Sequence, residues 1–143
     1  MGEIAFEPKH VAIIEGRVAV ENAPTPGLAE IVQAAGDAWT FTHGERVIAC
    51  WGLLPIWQGR STIWGVGVQD ASPGEILALL RHVRAKLSGR TEFRIEAHAR
   101  GTPETGWQPA HRLLRLLGFR YEAYLPSYSG PGRGMSQYVI VKD

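Results

Sequence analysis

The chain has 143 residues, enough for one domain with its own core. Lys and Arg number 15 against 14 Asp and Glu, and the composition is 45% hydrophobic and 20% charged, which argues against a disordered or fibrous protein. The single cysteine excludes an internal disulfide, and no apolar run approaches the roughly 18 residues of a membrane span. The first residues show no basic head before an apolar core, so no signal peptide is expected and the expected setting is cytoplasmic. The balance hides an asymmetry: residues 1–80 hold 4 basic and 9 acidic residues, residues 81–143 hold 11 and 5. The basic half is a candidate surface for phosphate, nucleic acid or an acidic partner, although no aromatic-basic RNA-binding motif accompanies it.

In chain order, Val11 to Ile14 reads as a short helix after Phe6-Glu7-Pro8-Lys9-His10. The prolines of Ala23-Pro24-Thr25-Pro26-Gly27 exclude regular structure there. Leu28, Ile31 and Val32 follow at helical spacing, with Gly36 as the stop. Trp39 to His43 and Val47 to Leu54 read as strands joined by the turn His43-Gly44-Glu45-Arg46, with Pro55 closing the second. Cys50, inside Val47-Ile48-Ala49-Cys50-Trp51, reads as a small buried hydrophobe.

Ile56 to Arg60 reads as a loop, and Thr62 to Val68 as the third strand. A helix then starts with Ser72 as N-cap, Pro73 at the first helical position and Glu75 completing a capping box. Its apolar stripe is Ile76, Leu77, Leu80, Val83, Ala85 and Leu87. Phe93 to Ala99 alternates as a strand, with Glu96 and His98 on one face. A last helix over Pro109–Leu117 ends at Gly118 in a left-handed cap. Phe119 to Tyr128 and Ser136 to Val141 are the final strands, joined by Ser129-Gly130-Pro131-Gly132-Arg133-Gly134.

This order, together with Ala110-His111-Arg112-Leu113-Leu114-Arg115-Leu116-Leu117-Gly118-Phe119 and the strand through Tyr124 and Tyr128, resembles the Gcn5-related N-acetyltransferase (GNAT) superfamily over about residues 39–141. The resemblance implies one α/β (α+β) domain over 1–143, a mixed, mostly antiparallel sheet of about six strands flanked by about four helices. Phe6-x-Pro8-x-His10-Val11 and Ala49-Cys50-Trp51-Gly52-Leu53-Leu54-Pro55-Ile56-Trp57 resemble small GNAT-like proteins of tailed bacteriophages. That likeness implies an internal virion or assembly protein, found in host cytoplasm or virion, with other virion proteins as partners.

Acetyltransferase chemistry needs backbone N–H groups for the pyrophosphate of acetyl-CoA, an open pair of parallel central strands, and a general acid. By resemblance the cofactor stretch corresponds to Val66, Val68, Gln69, Ser72 and Gly74. It has one glycine where the family pattern has two small residues, Pro73 deletes a donor, and Asp70 and Glu75 place negative charge where phosphates belong. The family's acid, a tyrosine four residues before the Leu-Gly-Phe glycine, corresponds to Leu114, which donates no proton. Trp107 stands at the family's asparagine position. Replacement candidates are Tyr124 as acid, with Tyr121 and Tyr128 on the same stretch, and Glu96 with His98 as base and relay.

An acetyltransferase would need Thr62–Val68 and Phe93–Ala99 to be parallel neighbours that splay at their C-terminal ends. A side chain such as Trp64 or Trp107 plugging the opening would count against an enzyme. Trp57, with Arg60 beside it, is the candidate anchor for a protein partner. His10, His43, His82 and His111 lack metal-ligand spacing, so no metal is expected. The reading is a non-catalytic GNAT-fold interaction protein with no cofactor. The alternative is an acetyl-CoA-dependent N-acetyltransferase with a divergent loop, and a third idea is nucleic-acid association through Arg81, Arg84, Arg112 and Arg115.

Overall fold

The computed structural model describes residues 1–15, 28–35 and 37–142. Its elements are β1 (Gly2–Ala5), α1 (Pro8–Glu15), α2 (Leu28–Ala35), β2 (Ala38–His43), β3 (Arg46–Trp57), β4 (Arg60–Gly67), α3 (Pro73–Ser88), β5 (Arg94–Arg100), α4 (Gln108–Leu116), β6 (Arg120–Leu125) and β7 (Met135–Val141). The sheet order is β1-β2-β3-β4-β5-β7-β6. Every recorded pairing is antiparallel except β4 with β5, which run parallel through Arg60↔Arg94, Ser61↔Ile95 and Thr62↔Glu96. The parallel pair that an acetyltransferase would need is therefore present. The proline segment at 23–27 and the Gly36 stop lie outside the described residues.

Three expectations change. Among the described residues there are seven strands, because Gly2–Ala5 pairs with β2; its four residues are all exposed, so no alternation announced it. Pro55 does not close its strand, which runs to Trp57. From Pro55 onward that strand is exposed, and proline's fixed φ suits an extended chain wherever no ladder N–H is needed. Ile76 and Leu77 are exposed, while Glu75, Val83 and Leu87 are the buried positions of α3. The turn that follows β3 is Gln58-Gly59, with Gly59 at φ +75°. The last helix spans Gln108–Leu116, and Gly118 takes φ +97°, the left-handed cap the sequence called for.

The chain divides into two units, residues 1–55 with 63–82, and residues 56–62 with 83–143. The core of the first is Phe6, Val11, Ile14, Phe41, Val47, Ile48, Cys50 and Val68. Within it the Thr40 hydroxyl donates to His10 Nδ1 (2.7 Å) and lies 3.6 Å from Cys50 Sγ. Burial pushes the Cys50 thiol up to about 11 and the His10 imidazole down. Trp64 packs edge-on against Phe6, ring centroids 5.6 Å apart, as part of this unit's packing.

In the second unit, Ile95, Ala97 and Ala99 of β5 are buried, with Ala97 opposite Tyr138 of β7, and Val139, Leu114, Leu117 and Phe119 are buried as well. His111 of α4 is fully buried there. Its Nε2–H donates to the Arg100 carbonyl (2.9 Å), so Nδ1 accepts the Tyr138 hydroxyl (2.8 Å). Among the described residues no helix is long and apolar enough to cross a membrane.

Candidate functional site

Two carboxylate-centred sites emerge, one in each unit. In the first, the β2–β3 hairpin brings His43 and Arg46 face to face across Gly44-Glu45, and both reach the start of α3. Glu75 has 4% of its side chain exposed. Its Oε1 accepts the Ser72 N–H (2.9 Å) and Arg46 Nη1 (3.3 Å), and its Oε2 accepts His43 Nδ1 (2.9 Å). The Ser72 hydroxyl returns the contact by accepting the Glu75 N–H (3.2 Å), which completes the expected capping box. Arg46 Nη2 also binds Asp70 Oδ1 at 2.6 Å. The Ser72 N–H, then His43 and Arg46, hold the Glu75 carboxyl below its ordinary value.

This turn does not fit a diphosphate. An anion drawn to the helix N-terminus meets a carboxylate already seated there, Pro73 supplies no N–H, and Asp70 adds a second negative charge nearby. The proposed cofactor residues are engaged in other ways. Val68 is buried and its N–H donates to the Ile48 carbonyl (3.0 Å). Val66 packs against the core, Gln69 is exposed, Ser72 caps the helix, and Gly74 is exposed beside it.

In the second unit, a cleft of about 560 Å³ is lined by Arg60, Thr62, Arg94, Glu96, His98, Tyr128, Ile56 and Gln137. β4 and β5 supply the first five. Glu96, with 4% of its side chain exposed, is gripped by Arg60 Nε (3.0 Å) and Nη2 (2.9 Å), with Arg94 Nη2 at 3.5 Å. Arg94 also pairs with Glu122, whose Oε1 accepts Gln137 Nε2 (2.6 Å). The Arg60 grip holds the Glu96 carboxyl below its ordinary value, which makes Glu96 a weak base.

Glu96 and His98 share a face, as expected, but the relay does not form. His98 Nε2 donates to Gln137 Oε1 (2.9 Å), and its ring stacks on Tyr128, centroids 5.0 Å apart at 16°. Tyr124 pairs with Ser136, which alternates with Gln137 along β7, so Tyr124 lies on the other face from His98. The tyrosine that joins the cleft is Tyr128, reached through a turn the sequence did not announce. Leu114, at the acid position of the resemblance, is buried, and Trp107 is 41% exposed at the start of α4. Trp57 is 75% exposed at the end of β3, while Arg60 is committed to Glu96. Among the described residues no three His, Cys, Asp or Glu gather as a metal site.

No family model matches the chain, and no curated protein does. Solved structures do. A GNAT-family acetyltransferase from Bacillus anthracis matches with TM-score 0.67 and 13% identity, covering 97% of this chain and 93% of its own. The fold is that of the GNAT acetyltransferases. A ribosomal-protein-alanine N-acetyltransferase from Brucella melitensis matches at TM-score 0.71 and 11% identity, over 99% and 100% of the two chains. An aminoglycoside 6'-N-acetyltransferase from Enterococcus faecium matches at 0.66 and 11%, over 99% and 97%. At these identities the GNAT likeness is one of fold, and activity must be argued from the site.

Proposed function

We propose that this chain is a GNAT-fold binding protein that does not use acetyl-CoA, with the exposed Trp57 as the anchor for a protein partner. The observation that carries this reading is Glu75, which occupies the N-terminus of α3 with both oxygens hydrogen-bonded. Leu114 at the acid position and Glu96 held under two guanidiniums point the same way. The bacteriophage setting draws no support from the fold relatives named above, which come from bacteria.

The second reading is an N-acetyltransferase with a divergent cofactor loop. It is favoured by the GNAT enzymes that this chain matches over nearly their whole length. Calorimetric titration with acetyl-CoA separates the two. The proposed reading expects no heat and no change in melting temperature at millimolar ligand. Saturable binding, with about 2.7 kcal/mol of added stability at 100 times Kd, overturns it in favour of the enzyme.

A further inference from the structure

The cleft of the second unit brings charged, aromatic and apolar side chains together. Its acid is already neutralised, since Glu96 spends both oxygens on Arg60 and Arg94. Arg94 is divided between Glu122 and Glu96. Arg60 donates through Nε and Nη2 only, so Nη1 makes no hydrogen bond among the described residues, and its side chain is 41% exposed. The grip of Glu96 fixes the guanidinium plane and leaves both N–H groups of Nη1 outside the pair.

The same cleft is lined by an aromatic shelf. Tyr128 is 57% exposed and is held parallel to His98, whose orientation Gln137 fixes. Ile56, 45% exposed, adds an apolar wall. The unit as a whole carries 11 Lys and Arg against 5 Asp and Glu, a field that draws anions. A cleft of about 560 Å³ is the size of a small-molecule site. A free inorganic anion would use the guanidinium and leave the shelf and wall bare.

We propose that this cleft binds a small molecule in which a planar aromatic or heteroaromatic ring carries one carboxylate or phosphate, the anion on Arg60 and the ring on Tyr128. The role does not depend on the acetyl-CoA question, because Glu75 and α3 take no part in it.

The test is calorimetry of the full chain with four probes. Adenosine monophosphate and 4-hydroxybenzoate carry both ring and anion. Ribose 5-phosphate carries the anion alone and adenosine the ring alone. At least one of the first two is expected to bind at least tenfold tighter than either of the last two, and the tighter one identifies the anion. The His98 ring-proton resonances should shift with the same saturation curve. Tyr128→Leu, on an exposed turn and so tolerant of change, should weaken binding at least fivefold, and Arg60→Gln more. Equal binding of ribose 5-phosphate and adenosine monophosphate, binding untouched by Tyr128→Leu, or no heat from either ring-bearing anion at millimolar concentration overturns the proposal.

Discussion

Glu75 and Glu96 invite comparison. Each is a nearly buried carboxylate held by arginine, and each has its pKa lowered. Their effects are opposite. Glu75 caps a helix N-terminus, where it takes the Ser72 N–H and sets a negative charge against an incoming anion. Glu96 lies beneath the Arg60 guanidinium and fixes it through Nε and Nη2, leaving Nη1 outside the pair beside the cleft that Arg60 lines. The same ion pair closes one position and builds another. In both pairs the arginine is the outer partner, 35% exposed over Glu75 and 41% over Glu96; what differs is where the carboxylate sits, at a helix start in one and on a strand in the other.

The contrast can be broken most strongly at Glu96. Glu96→Gln should destabilise by roughly 1–3 kcal/mol, because Arg60 and Arg94 lose their charged acceptor beside the core; urea unfolding at constant m-value measures it. Ser72→Ala should cost about 1 kcal/mol through the lost cap, read by the same method.

Titration sharpens the comparison further. The folded pKa of Glu75 is depressed, so its stabilisation is complete above the ordinary carboxylate value of 4.5 and fades as pH falls through the lower, folded value. Thermal melts of Glu75→Gln should therefore fall below wild type at neutral pH and converge with it in acid. A constant gap across pH would show that Glu75 acts by packing rather than by charge. Trp57→Ala should change stability by less than about 0.5 kcal/mol, since the ring is exposed, while abolishing capture of any partner that docks on it.

How much of this was written locally in the sequence differs between the two sites. Ser72-Pro73-Gly74-Glu75 announces its own capping box because all partners lie within one turn, and Gly118 announces its left-handed cap for the same reason. That Arg46 and His43 complete the Glu75 site needed the hairpin register, some thirty residues away. The cleft was less legible. Arg60 and Glu96 are 36 positions apart, and they meet only because β4 and β5 run parallel in that register. Tyr124 looked equivalent to Tyr128, but Tyr124 is fixed by pairing with Ser136 on the wrong face, while Tyr128 escapes alternation by lying beyond the strand. Pro55 misled because a rule about central ladders was applied to an exposed strand end.

The lone thiol has a practical consequence. Cys50 is inaccessible, and at a pKa near 11 almost none of it is thiolate at neutral pH. A thiol-directed reagent is thus blind to the native chain and marks only molecules whose first unit has opened. The rate of labelling, with no engineered probe, becomes a clock for the opening of that unit alone.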